Sequence, residues 1–262
     1  MRIARFTVGE EPQFGIVQDE ESAGAGHFVA AVAGDPLYQG LEPTGERFAL
    51  EDVRLLAPVI PRSKVVCVGK NYSDHASEMG APAPEEPLLF LKPNTSVVGP
   101  YDPVVYPHQT SNLHFEGELG VVIGRICRDV PLSRVPDVVY GYTVANDVTA
   151  RDLQAKDVQF TRAKSFDTFC PLGPWIETEL DPGDLSLTTT LNDEVKQLGR
   201  TSQMTFDVPS IITYVTSVMT LLPGDVVLTG TPAGVGPMSV GDQVTVTIEG
   251  IGSLTNTVVA RD

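Results

Sequence analysis

Twenty-four glycines and 21 prolines, 45 of 262 residues, are scattered along the chain as punctuation rather than gathered into one low-complexity block. Glycine and proline end regular elements and set tight turns, so the chain must be assembled from many short elements. Ile3-Ala4-Arg5-Phe6-Thr7-Val8 and Phe14-Gly15-Ile16-Val17 alternate weakly between polar stretches and predict a small β-rich N-terminal region. Ala57-Pro58-Val59-Ile60-Pro61-Arg62 then sets an extended connector. The expected division is a small β-rich domain over 1–60 and a second domain over 61–262, in keeping with a length that corresponds to roughly 1.7 average domains.

The second region opens with an apolar run, Val65-Val66-Cys67-Val68-Gly69, followed by a helix start in Asn71-Tyr72-Ser73-Asp74-His75-Ala76-Ser77-Glu78-Met79. Phe115, Gly117, Leu119 and Val121 alternate against His114, Glu116, Glu118 and Gly120, which predicts a strand with one polar face. Gly141 to Val148 reads as another strand with Asp147 at its end, and Thr149 with Asp152 reads as a capping box that opens a helix through Ala155. Ile211, Tyr214, Val215, Val218, Leu221 and Leu222 follow helical spacing from Pro209 until Pro223-Gly224. Further strands are expected at Val226-Val227-Leu228, Val244 to Ile248 and Leu254 to Val259, so strands outnumber helices. The fold class is a mixed, β-rich α+β.

Composition narrows the function classes. Eighteen basic against 34 acidic residues give a formal charge of −16, which disfavours nucleic acid and anionic membrane as partners. No run of about 18 apolar residues is present to span a bilayer, and no signal-peptide core builds up near the N-terminus, so a cytoplasmic location is expected. Cys67, Cys127 and Cys170 are too widely spaced for a disulfide framework or paired zinc ligands and read as reduced, buried thiols.

Glu116 and Glu118, two apart on a strand, leave the same face with Cα atoms roughly 6–7 Å apart. Two like charges held that close repel unless a cation neutralises them, and hard dications prefer oxygen ligands; the alternative is a solvated strand face. Asp147 is a third carboxylate that a closing sheet can aim at the same point. With one Mg²⁺ or Mn²⁺ the three sum to about −1 and leave positions for water and a chelating substrate. A Glu/His zinc site with His108 or His114 is the alternative metal reading. His75 and Glu78, three apart on the first helix, can act as a carboxylate-oriented general base or form a simple surface hydrogen bond. Arg151, Lys156, Arg162 and Lys164 cluster after Asp147 and can offset a substrate anion or remain surface cations. Gly230 to Gly236 can present backbone N–H groups to a carboxylate or form a plain turn. No GxSxG context supports a nucleophilic serine.

Taken together, Gly69-Lys70-Asn71-Tyr72-Ser73-Asp74-His75, Phe90-Leu91-Lys92-Pro93, Phe115-Glu116-Gly117-Glu118-Leu119, Asn146-Asp147-Val148-Thr149-Ala150-Arg151-Asp152, Ala163-Lys164-Ser165-Phe166-Asp167 and Thr229-Gly230-Thr231-Pro232-Ala233-Gly234-Val235-Gly236 resemble the fumarylacetoacetate hydrolase superfamily over about residues 60 to 262. The resemblance is closest to the branch of acylpyruvases, oxaloacetate decarboxylases and 2-hydroxyhepta-2,4-diene-1,7-dioate isomerases. It implies a β-sandwich roll for the catalytic domain, a homodimer, and Mg²⁺ or Mn²⁺ held by Glu116, Glu118 and Asp147. It also implies that His75 and Glu78 activate water, that Lys164 stabilises developing negative charge, and that Tyr72, Arg151, Gln154 and Thr231 contact a small anionic 2-oxo acid. The expected reactions are hydrolytic carbon–carbon cleavage of acylpyruvates or decarboxylation of oxaloacetate by way of a metal-bound enolate, with the dioate isomerisation or a catalytically silent acid-binding role as alternatives. Lys70 stands where fumarylacetoacetases proper carry aspartate, which argues against fumarylacetoacetate as substrate. The proline-rich stretch Ala81 to Pro87 cannot be regular helix, and residues 76–87 are expected to form a lid.

Overall fold

The structure is a computed structural model and describes residues 1–9, 11–19, 26–78, 80 and 84–261. Of the expected lid, residues 79 and 81–83 lie outside the described residues. The apolar alternation near the N-terminus forms the antiparallel run Arg2–Thr7, Gln13–Asp19, His27–Val32 and Pro43–Ala49, closed over Ala4, Phe6, Val17 and Val29. This run joins a larger sheet, because Arg2 and Ile3 pair with Glu177 and Ile176 of the strand Cys170–Glu177. From there the sheet continues through Val139–Asn146, Gly117–Ile123, Val226–Leu228 and Val65–Gly69 to the edge strand Leu88–Lys92.

A five-stranded sheet, in the order Glu194–Arg200, Ser186–Leu191, Gln243–Ile248, Gly252–Ala260 and Val104–Tyr106, packs with the helix Val208–Val218 against one face of the large sheet. Leu119, Val121, Val66 and Val68 meet Leu187, Val246, Ile211 and Val215 there. Val65, Cys67, Val122, Ala145, Cys170 and Leu228 fill the opposite face. All three cysteines are free and buried.

Burial on both faces changes one expectation. The strand Gly117–Ile123 has no solvated polar side; every residue of it is buried. Glu116 sits in the break between the strand Leu113–Phe115, which belongs to a separate three-stranded sheet, and Gly117–Ile123. The Gly117 backbone also leaves no room for a side chain, since a Cβ there would lie 2.3 Å from Thr189 Oγ1 and 2.9 Å from Val246 Cγ1.

Two local readings are corrected. Thr149 does not cap the helix Arg151–Lys156; Thr149–Ala150 pairs with Leu113 and His114, and the cap position is Ala150 with no side-chain bond. Asp152 instead accepts Thr110 Oγ1, Ser111 N at 3.1 Å and Leu153 N at 3.0 Å, which ties the helix to the loop before Leu113. The helix Val208–Val218, capped by Asp207 on Ser210 N at 2.9 Å, ends before Pro223. Leu221 leaves helical geometry to exchange two 3.0 Å backbone hydrogen bonds with Cys127.

Candidate active site

Sheet register brings together carboxylates that are 31 positions apart in sequence. Gly117 pairs with Asn146, so the next residues outward, Glu116 and Asp147, are adjacent, and Asp147 N donates to Glu116 O at 2.8 Å. Asn146 Oδ1 accepts Glu116 N at 2.9 Å and fixes the turn from inside. Glu118, opposite Ala145, completes a group in which one oxygen of each carboxylate lies within 4.8 Å of the others. These three are buried, with exposures of 4 %, 2 % and 0 % for Glu116, Glu118 and Asp147.

The remaining wall comes from the parallel pair Val65–Gly69 and Val226–Leu228, whose following loops emerge side by side. Asn71 locks them together, donating to Phe206 O at 2.9 Å and Thr229 O at 2.8 Å. One loop runs into the helix Ser73–Glu78, where His75 Nδ1 lies 3.1 Å from Glu78 Oε2. The other carries Thr231, held by Gln197 Nε2 at 2.7 Å. A cavity of about 330 Å³ results, lined by His75, Glu116, Glu118, Asp147, Arg151, Gln154, Lys164 and Thr231 on its polar side and by Val68, Phe90, Ala155 and Phe160 on its apolar side.

The structure thus gathers most of the predicted site residues into one concavity. Glu78 is behind His75 and one-third exposed. Tyr72 is the exception: it is buried, forms a bridge with Met204, and lines a different, 60 Å³ pocket with Leu198 and Pro232. Burial and the nearby Glu118 charge raise the pKa of its phenol. The glycine loop points its N–H groups inward to the protein's own carboxylates, Gly230 N to Glu118 Oε2 at 2.7 Å and Gly234 N to Glu78 Oε1 at 3.1 Å. Arg162 is exposed and paired with Asp157 at 2.6 Å, and Lys156 is exposed, so both are surface cations.

Sequence reasoning missed Lys92. Its Nζ is fully buried, 2.5 Å from Asp147 Oδ1 and 3.1 Å from Val148 O. The available signal is a lysine ending the apolar run Leu88-Leu89-Phe90-Leu91, where a cation needs a buried partner. Lys164 Nζ bridges Glu116 Oε2 at 2.8 Å and Asp147 Oδ2 at 2.7 Å, and Arg151 reaches Glu116 Oε1 at 2.5 Å and Gln154 at 2.6 Å. Burial alone would raise the Glu116 pKa, but Lys164 and Arg151 override it and hold the carboxyl far below the usual range. For Lys164, burial acts to lower the pKa, and Asp147 and Glu116 outweigh it and raise it. His114 is outside the cavity wall, its pKa pushed down to about 4 by burial and Arg151.

Residues 64–259 match the family described as fumarylacetoacetate (FAA) hydrolase C-terminal, three quarters of the chain. The chain belongs to this family. Residues 1–58 match a second description, Rv2993c-like, N-terminal. The human protein named oxaloacetate tautomerase FAHD1, mitochondrial, is 45 % identical over 73 % of this chain and 89 % of its own length. A crystal structure described as 5-carboxymethyl-2-hydroxymuconate delta-isomerase from Mycobacterium smegmatis covers 100 % of both chains at 48 % identity with a TM-score of 0.91. That of fumarylpyruvate hydrolase from Pseudomonas aeruginosa in complex with Mn²⁺ and pyruvate covers 78 % of this chain and 98 % of its own at 34 % identity and a TM-score of 0.73.

Glu118 decides whether the fumarylacetoacetate hydrolase site of this chain fits a divalent cation. Glu116 and Asp147 each contact buried side-chain cations; Glu118 has no such ion pair among the described residues and accepts only the Gly230 N–H. Burial, then Asp147 and Glu116, push its pKa well up. A buried carboxylate beside two others and without an ion pair of its own is a donor that a hard dication satisfies. The structure also corrects the charge estimate: Lys92, Lys164 and Arg151 already balance the three carboxylates, so a dication leaves the centre at about +2 rather than about −1. Among the described residues no His or Cys joins this cluster, so its donors are carboxylate oxygens rather than the nitrogen and sulfur that zinc prefers. No helix among the described residues is long and apolar enough to cross a membrane.

Proposed function

We propose that the protein is a Mg²⁺- or Mn²⁺-dependent enzyme acting beside the carbonyl of small 2-oxo acids, by hydrolytic cleavage of acylpyruvates or by decarboxylation or keto–enol conversion of oxaloacetate. The observation that carries this reading is the buried Glu116–Glu118–Asp147 group in a cavity that also presents His75, backed by Glu78. The oxaloacetate tautomerase name of the human relative and the pyruvate bound with Mn²⁺ in the hydrolase neighbour support it.

Glu116, Glu118 and Asp147 would hold the cation. When bound, it polarises a substrate carbonyl and lowers the cost of negative charge on the adjoining carbon. The chain's own residues handle the proton. Glu78, a carboxylate fixed by Gly234 N–H, can only accept, so His75 Nδ1 carries the hydrogen and Nε2 is left as the base. A base at Nε2 takes a proton from water for hydrolysis, or from substrate carbon for tautomerisation, and returns it. Lys164 places a fixed positive charge in a buried setting where charge–charge attraction is strong. Arg151 holds Gln154 and Glu116 together, and Gln197 holds the Thr231 hydroxyl at the cavity.

A second reading, isomerisation of an unsaturated 2-hydroxy dioate by the same base, is favoured by the delta-isomerase described for the Mycobacterium smegmatis neighbour. The working unit in this proposal is a cytoplasmic homodimer; exposed Val195 and Leu198 on the edge strand Glu194–Arg200 support a partner surface. Oxaloacetate, acetylpyruvate, fumarylpyruvate and the hydroxyheptadienedioate, each assayed with Mg²⁺, with Mn²⁺ and with chelator, test the function. Turnover of at least one that chelator abolishes is expected, and absence of metal-dependent turnover of all four refutes it.

A further inference from the structure

Gln197 is fully buried on Glu194–Arg200, the edge strand of the five-stranded sheet, and does not line the cavity, yet its amide holds two segments that do. Its Oε1 accepts Gly117 N at 3.0 Å, between the ligands Glu116 and Glu118. Its Nε2 donates to Thr231 Oγ1 at 2.7 Å and to Pro232 O at 2.8 Å. A backbone N–H can only donate and a carbonyl can only accept, so these partners fix which end of the amide is which. Both amide hydrogens are thereby spent.

That orientation decides what the Thr231 hydroxyl can do. A hydroxyl has one hydrogen and two lone pairs, and Gln197 Nε2–H takes a lone pair. Among the described residues Thr231 Oγ1 donates to no protein acceptor, although the residue is buried in the cavity wall. A buried donor needs an acceptor, and the cavity is where one can arrive. The same strand also seats the loop that carries Thr231. A Cβ on Gly199 would lie 2.7 Å from Pro232 Cβ, and one on Gly234, at φ +99°, would lie 2.1 Å from Lys196 O. Loop and strand pack too closely at these two points for a side chain to come between them, so the hydroxyl is held in register with Gln197.

Resting on the proposed 2-oxo acid site, we propose that Gln197 is a positioning residue for the reaction: from a strand outside the cavity it sets the Thr231 hydroxyl as a donor to an anionic oxygen of the bound acid. A donor oriented before the substrate arrives needs no reorganisation when negative charge develops. Without the Nε2–H the hydroxyl is free to turn, and the ligand loses that donor.

The test is calorimetry of the Mn²⁺-loaded protein with pyruvate, with Mn²⁺ titrations and thermal melts of the same proteins. Thr231→Val is expected to weaken pyruvate binding about tenfold, the range of one hydrogen bond to a charged group, and Thr231→Ser to stay within about threefold of the parent. Gln197→Met is expected to weaken pyruvate binding about five- to tenfold while its Mn²⁺ affinity stays within about threefold. In the double variant Gln197→Met is expected to add no more than about twofold to the loss of Thr231→Val, because the hydroxyl it acts through is gone. Where Gln197→Met melts too low to titrate, Gln197→Glu, which keeps an acceptor for Gly117 N and offers Thr231 an acceptor in place of a donor, carries the same expectations. A loss at Gln197 that persists undiminished beside Thr231→Val, a Mn²⁺ affinity that falls as far as the pyruvate affinity, or parental pyruvate binding by Thr231→Val overturns the assignment and leaves the metal-site reading standing. No Mn²⁺-dependent pyruvate binding by the parent overturns both.

Discussion

Replacing Glu118 by Gln is expected to move stability in opposite directions with and without metal. Glu118 is 2 % exposed, shares its site with Glu116 and Asp147, and has only the Gly230 N–H as partner. Gln keeps that acceptor and the volume and removes a carboxyl whose ionisation is opposed by burial and by Asp147 and Glu116, which in chelator stabilises by about 1–3 kcal/mol. At about 2–4 °C per kcal/mol for a chain of this size, the variant melts several degrees above the parent in EDTA. With metal at a hundred times its dissociation constant the parent gains about 2.7 kcal/mol. Loss of one carboxylate ligand, taken as a hundredfold weaker affinity, leaves the variant about 0.4 kcal/mol at the same concentration. Thermal melts in EDTA and in MgCl₂ or MnCl₂ read both effects, so the parent's melting temperature climbs on adding metal while that of Glu118→Gln hardly moves. A variant that melts below the parent in EDTA, or that takes the parent's full metal shift, refutes the assignment of Glu118 as an unpaired ligand.

The other expectations separate metal holding, chemistry and framework. Glu116→Ala is expected to abolish Mg²⁺ binding by calorimetry, whereas His75→Ala keeps it and lowers turnover by about 10²-fold or more; equal metal affinity in Glu116→Ala and the parent is the failing result. Gly117→Ala, whose new Cβ meets Thr189 Oγ1 at 2.3 Å, is expected to cost about 1–3 kcal/mol in urea melts, against no more than about 0.5 for Gly9→Ala, which has open space around it. Asp225 is buried and accepts from Ser63 N and Oγ, Lys64 N and Nζ and Leu222 N. Burial alone would raise its pKa, but these donors hold it below the ordinary aspartate value. Because the folded pKa is the lower one, its stabilisation is complete above about pH 5 and drains as the pH falls through the ordinary value of about 3.9 and below. Asp225→Asn is therefore expected to cost about 2 kcal/mol at pH 7 and progressively less towards pH 3; a gap that does not change with pH counts against this.

What the chain shows in one dimension is which groups could do chemistry, and the fold decides which of them meet. Period-two alternation was enough to place Glu118 on a strand with Glu116 just before it and to put Asp147 at the end of another, because each depends on local pattern. The convergence of these groups depends on the pairing of Gly117 with Asn146, a register set between residues 29 apart by packing on both faces of the sheet. The same long-range packing buried Gly117–Ile123 on both sides, which excludes the solvated-face alternative, and drew Leu221 out of the helix into a bridge with Cys127. Thr149 and Asp152 satisfied a capping pattern by spacing alone, but a strand pairing at Thr149–Ala150 and the Thr110 hydroxyl were better partners for them. Charge was the least legible quantity. A count over three carboxylates predicts a residual negative centre, yet Lys92, 55 positions from Asp147 and reaching it from the sheet edge, joins Arg151 and Lys164 in reversing that sum. Since Lys92 arrives on the edge strand and Arg151 and Lys164 on the two short helices after Asp147, the charge at the centre follows from which elements pack together, and no motif containing the three acids alone could have supplied it.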